Sequence, residues 1–183
     1  MARSQREDLD FMNPAAHEAS LGTKLKQLQD WITGNRIVGG TPGLARGSTD
    51  TNIATGLIYF QIAKAFLTKA AVAAGTALGA LGTTAADKWA VFLVVIDAAG
   101  TITVVPGAGN VAGYASESAA LAAKPATPAG KVALGHFTIK TGVGLAWIAG
   151  TDALAGGITG NEASTTNYYQ AGADYQMPVE LLT

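Results

Sequence analysis

Three groups of residues have types and spacings that could do chemistry, and each lacks a partner the chemistry needs. Arg36-Ile37-Val38-Gly39-Gly40 would suit a serine-protease activation site, where a freed Ile amine enters the core. That reaction also requires a nucleophilic Ser with an oxyanion loop and a His base held by an Asp. No Gly-Asp-Ser-Gly run occurs and His136 lies in a strand-like stretch, so a Gly-rich linker is the better reading. Gly107-Ala108-Gly109-Asn110-Val111-Ala112-Gly113 imitates a dinucleotide-binding glycine loop. The strand before it already reads as one arm of a tight hairpin, which conflicts with a parallel βαβ unit. No acidic residue follows about 20 positions later to take a ribose hydroxyl. A flexible loop is expected there.

The remaining polar groups offer less. Asp87, Asp97 and Asp152 each sit beside turn-type neighbours, the usual setting of a turn or capping Asp. No two are paired at short spacing for general acid and base work. The two His, at 17 and 136, cannot build a multi-histidine metal site, and the absence of Cys removes thiol nucleophiles and zinc–thiolate sites. His136 reads as a half-buried strand residue. Trp89 and Trp147 read as core, with a carbohydrate-stacking platform as the sharper alternative. The expectation is a non-enzymatic protein without catalytic residues, cofactor or metal.

Composition bounds the elements that could position any site. Of 183 residues 23 are Gly, and 36 of the 89 apolar ones are Ala, which leaves 53 large apolar residues, enough for one modest core. A net charge of −1 provides no field for nucleic acid. The start, Met1 to Asp8, is charged and no apolar run follows it, so no signal peptide is expected. The run Ala90 to Ile96 is too short to cross a bilayer. Residues 70–86 are uncharged, with Gly75 and Gly79 at GxxxG spacing, but hold only Val72, Leu78 and Leu81 as large apolar side chains. No membrane span is expected, and the setting is read as soluble.

Residues 1–50 hold 12 of the 25 charges, whereas nothing between Asp97 and Glu117 is charged. The first fifty residues are therefore read as a separate arm. Asn13 and Pro14 can open a helix near 14–33. Leu21, Leu25, Leu28 and Ile32 fall on one helical face with Trp31 beside them, and Gly34-Asn35 stops the helix. One short amphipathic helix cannot bury its stripe alone, so these five residues are the expected partner-binding face. Residues 39–43 and 46–50 read as an extended linker.

From residue 52 the patterning becomes that of a β-protein. Ile53, Thr55, Leu57 and Tyr59 alternate, 89–105 reads as a hairpin through Asp97-Ala98-Ala99-Gly100, and Lys131 to Lys140 reads as a strand turned back by Thr141-Gly142 toward 144–148. Ser116 to Lys124 is a short helical piece or a loop, and 63–75 is ambiguous between helix and strand. The expected fold is mainly β: an antiparallel β-sandwich or jelly-roll-like body over 51–160, with an N-terminal amphipathic helix and extended arm over 1–50. A C-terminal extended tail occupies 161–183, with Tyr168, Tyr169 and Tyr175 as surface anchors.

Trp89-Ala-Val-Phe-Leu-Val-Val-Ile-Asp-Ala-Ala-Gly-Thr-Ile-Thr-Val105 and Ala122-Ala-Lys-Pro-Ala-Thr-Pro-Ala-Gly-Lys-Val-Ala-Leu-Gly-His-Phe-Thr-Ile139 together resemble a pattern of small tailed-bacteriophage virion structural proteins. There a strand ends in Asp/Asn-Ala-Ala-Gly-Thr, and a Pro-Ala-Gly-Lys turn leads into a Gly-containing strand. The resemblance spans about residues 57–155 and implies a capsid-decorating, head-fibre or tail-associated protein, β-rich and often trimeric. It implies a place in the virion, assembled in the host cytoplasm. The implied partner is the major capsid protein or another virion protein, beside further copies of the chain. The competing reading is a carbohydrate-binding or adhesin-type module of a phage tail or fibre, using Trp147, Tyr114 or the C-terminal tyrosines as stacking surfaces.

Overall fold

Short β-branched and aromatic runs, cut by Gly, Pro and Asp turns, give strands too brief to stand alone and force them into small sheets. The computed structural model describes residues 33–79, 81–158 and 160–171, together with 19, 21–26 and 29. Residues 35–174 make one compact unit, and residues 1–34 with 175–183 make the other. The first unit is a β-body. Its strands are β1 (Arg36–Gly40), β2 (Ala45–Arg46), β3 (Asn52–Thr55), β4 (Ile58–Ile62), β5 (Ala65–Lys69), β6 (Val72–Ala77), β7 (Thr83–Thr84), β8 (Trp89–Ile96) and β9 (Ile102–Pro106). After them come one short helix, α1 (Glu117–Ala122), and then β10 (Val132–Lys140), β11 (Trp147–Ile148) and β12 (Thr165–Gln170).

The fold is mainly β, and every ladder between named strands is antiparallel. The largest sheet runs β12-β10-β8-β9; smaller ones run β1-β4-β5, β2-β3-β6 and β11-β7. β1 and β4 lie across β10, so the three-stranded sheet packs on the four-stranded one. Between them Ile37, Ile58 and Phe60 meet Phe92, Val94, Leu134 and Phe137 in one core. Phe92 stacks on Phe137 at 5.0 Å and meets the edge of Trp147 at 5.9 Å. The opposite face of the large sheet is covered by α1, which crosses β8 and β10. That double cover explains why all of Ala90–Ile96 is buried and why the run is continuously apolar rather than alternating.

Strand β10 keeps its apolar residues inward only because it is bulged. Ala133 faces Val95 and Gly135 faces Val94, so Leu134 is the extra residue. Val132 and Leu134 point to the core before the bulge, and Phe137 and Ile139 after it. Gly135 has φ +143°, and a Cβ there would stand 2.3 Å from the Tyr169 carbonyl oxygen. A similar change of parity separates β3 from β4. Ile53 and Thr55 are buried, then Ile58 and Phe60, so Leu57 and Tyr59 face outward instead of continuing the alternation. The chain turns at Gly56, whose N–H donates to Pro42 O at 2.6 Å and where a Cβ would stand 2.5 Å from Thr41 O.

Three sequence expectations need correction. The linker read at 39–50 is part of the body: β1 pairs with β4 and β2 with β3, and Ile37 and Leu44 are buried. The boundary therefore falls at 35 rather than 50. Within the tail read from 161, Thr165–Gln170 is part of the body, forming β12 along the free edge of β10. Tyr168 there packs on Phe137 in the core rather than anchoring a surface. Residues 147–148 pair with β7, not back against β10. The ambiguous stretch 63–75 is strand: β5 closes a hairpin with β4, and β6 pairs with β3. In the N-terminal unit residues 21–26 are helical, with Leu21 and Leu25 exposed. Asn13, Pro14, Leu28, Trp31 and Ile32 lie outside the described residues, as do 172–183.

Candidate functional site

The groups singled out from sequence are scattered, and most hold loops in place. Arg36–Gly40 is β1, its Ile37 buried in the core. The glycine loop after β9 is tied down by Asn110. Its side chain accepts from Val91 N at 3.0 Å and donates to Val91 O at 2.7 Å, continuing the ladder that Pro106 leaves. The N–H groups of the loop's glycines are taken up too. Gly109 N donates to the Tyr114 hydroxyl at 3.0 Å, and Gly113 N to Gly109 O at 2.8 Å.

The carboxylates fasten backbone in the same way. Asp97 accepts from Ala99 N and Thr101 N at 3.0 and 2.9 Å, closing the β8–β9 turn. Buried Asp152 accepts from Ile148 N at 2.6 Å and Asn161 N at 3.0 Å. Asp87, at φ +57°, accepts from Gly144 N at 3.4 Å. Among the described residues no three His, Cys, Asp or Glu side chains gather as a metal ion would require. No helix among them is long and apolar enough to cross a membrane. Trp147 is 1% exposed and its Nε1 donates to Ala153 O at 2.9 Å, which removes it as a stacking surface.

One convergent polar cluster does exist, on the α1-covered side of the large sheet. Ser116 caps α1, its hydroxyl accepting from Ala119 N at 3.2 Å, and this places Glu117 in the first turn over β10 and β12. Glu117 Oε1 accepts three hydrogen bonds: from Thr138 Oγ1 at 2.6 Å, Asn167 Nδ2 at 2.7 Å and the Tyr169 hydroxyl at 2.9 Å. Its other oxygen takes no hydrogen bond from the described residues. Burial would raise the Glu117 pKa, but the bonds from Asn167, Thr138 and Tyr169 outweigh it and hold the carboxyl below its ordinary range.

Beside it, His136 of β10 stacks face to face on Tyr169 of β12, 4.7 Å between ring centres and 8° between planes. Their strands pair there in register. Burial, with the Lys124 cation secondary, keeps the imidazole pKa below its usual value. The bond to Glu117, followed by burial and the carboxylate charge, raises that of the Tyr169 phenol. Sequence reading placed His136 correctly on a strand but missed the cluster. Its members come from 116–124, 136–138 and 167–169, and no local pattern links a helix-start Glu to a strand 50 residues away.

The expected partner face is only partly visible. Leu21 and Leu25 are 46% and 62% exposed, while Leu28, Trp31 and Ile32 lie outside the described residues. Compared with known proteins, the chain matches no family model, no curated protein and no solved structure.

Proposed function

We propose that this chain is a non-enzymatic structural protein of a tailed-bacteriophage virion, decorating or stabilising the capsid. Its N-terminal arm grips the major capsid protein or another virion protein while the β-body projects, in several copies assembled in the host cytoplasm. The observation that supports this is the placement of the body's two chain exits. Asn35 lines the same cleft as Val132 and Ala133, and Ala171 N donates to Leu134 O at 3.0 Å. Both exits thus lie beside the start of β10.

The other end of that strand, roughly 30 Å away at about 3.3 Å per residue, carries the loops at 107–113 and 141–146. There Val111, Val143 and Leu145 are exposed. A body with its chain exits at one end and free loops at the other suits a protein tethered at one end. The tether has its own reason to bind. Leu21 and Leu25 on one helical face are a liability in water, and burying each is worth roughly 1.5–3 kcal/mol before ordering costs.

Peptide mass spectrometry of density-banded phage particles from cells expressing this gene tests the reading. The chain should be present in many copies per particle, and a Leu21→Asp, Leu25→Asp variant of the full chain should fold yet be missing from them. Particles without the wild-type chain overturn the virion reading. Normal incorporation of the double variant overturns the arm as anchor.

A further inference from the structure

We propose that the edge of the large sheet binds a neutral pyranose sugar, its ring lying on Tyr169 and its hydroxyls met by Glu117 and Asn167. This goes beyond the structural role and stands without it. Tyr169 is on β12, the edge strand of its sheet. One face of its ring is stacked on His136 at 4.7 Å, and no described strand pairs with the outer side of β12. The ring is half-buried and fixed, because its hydroxyl donates to Glu117 Oε1 at 2.9 Å. A ring held at both its face and its hydroxyl has little freedom left to lose when a ligand stacks on it.

The polar atoms around the ring are also held but not saturated. Thr138, Asn167 and Tyr169 all bond to Oε1, which aims the carboxylate and leaves Oε2 as an acceptor. Asn167 donates through Nδ2, leaving its carbonyl oxygen as a second acceptor. Acceptors beside an aromatic face match the hydroxyl edge and the C–H face of a pyranose. The Glu117 carboxylate repels an anion, which favours a neutral sugar over an acidic one.

The test is saturation-transfer NMR on the full chain with methyl β-galactopyranoside, methyl β-glucopyranoside and methyl β-glucuronide. Ring protons of a neutral glycoside should saturate and those of the glucuronide should not. Tyr169→Ala should cut the signal about five-fold, the scale of one aromatic contact. Glu117→Gln, which keeps the shape of the side chain and removes its charge, should weaken it while the protein spectrum stays folded. No transfer to either neutral glycoside, a preference for the glucuronide, or undiminished transfer to folded Tyr169→Ala would overturn the proposal. Should Tyr169→Ala fail to fold, undiminished transfer to Glu117→Gln overturns it instead.

Discussion

Glu117 shows how one side chain holds parts of the chain that sequence keeps far apart. Its carboxylate joins α1 to β10 and β12 through three donors, one of them the fully buried Thr138 hydroxyl. Glu117→Leu should therefore destabilise the body by about 1–3 kcal/mol, since it strands a buried donor. The effect has a defined pH dependence. A carboxyl whose folded pKa lies below its unfolded value stabilises the fold above that unfolded value and loses the contribution as pH falls through the folded one. The difference in urea midpoint between wild type and Glu117→Leu should be constant near neutrality. It should shrink as pH falls below the ordinary 4.5. Tyr168 is the opposite case. Its hydroxyl is buried with no hydrogen-bond partner among the described residues, and burial, partly offset by Arg46, pushes the phenol up to about 12. Tyr168→Phe should leave stability unchanged or raise it by about 1 kcal/mol, read from thermal melts. In ultraviolet titration it should remove a phenol that ionises well above the ordinary tyrosine value.

Strand β10 is the element on which the rest depends, for it pairs with β8 and β12 and carries β1 and β4 across its inner face. Its bulge at Gly135 reverses the side-chain parity midway, so that Leu134 and Phe137 both reach the core. Gly135→Ala meets a left-handed backbone and the Tyr169 carbonyl at 2.3 Å together. It should cost more than about 2 kcal/mol in a denaturant titration. The loss should fall on β12 first, visible as early hydrogen exchange at Asn167 to Gln170, while β8 stays protected. Loss of protection spread evenly over the whole body would show that the bulge serves the core as a whole.

At the scale of the molecule, we propose that copies of the chain associate, since its sheets are small and its core is drawn from few large side chains. With 53 large apolar residues in 183, shared burial between copies would add to a thin interior. Light scattering behind size exclusion should give the mass of three chains at micromolar concentration, and a thermal midpoint that rises with concentration. A monomer melting independently of concentration would count against it.

The sequence by itself determined the class of fold and its most local pieces. The β8–β9 hairpin was legible because its strands are adjacent and Asp97 carries its own turn chemistry. The burial of β8 was legible because no exposed strand is apolar at every position. The strand at 132–140 and the half-buried His136 were legible for equally local reasons, while the stretch after Ser116 was open between a short helix and a loop. What only tertiary structure decided was whatever depends on a distant partner. Thr165-Thr-Asn-Tyr-Tyr-Gln170 is polar enough to be a tail, and becomes a strand because β10 offers it an unpaired edge with Phe137 beneath Tyr168. Arg36–Gly40, glycine-rich enough to be a linker, becomes a strand because β4 binds it and Ile37 has a core to enter. The Glu117 cluster left no trace in the sequence. Hydrogen bonds between residues 21 to 52 positions apart are set by how sheets and helix pack, whereas composition and periodicity report only what each residue prefers beside its nearest neighbours.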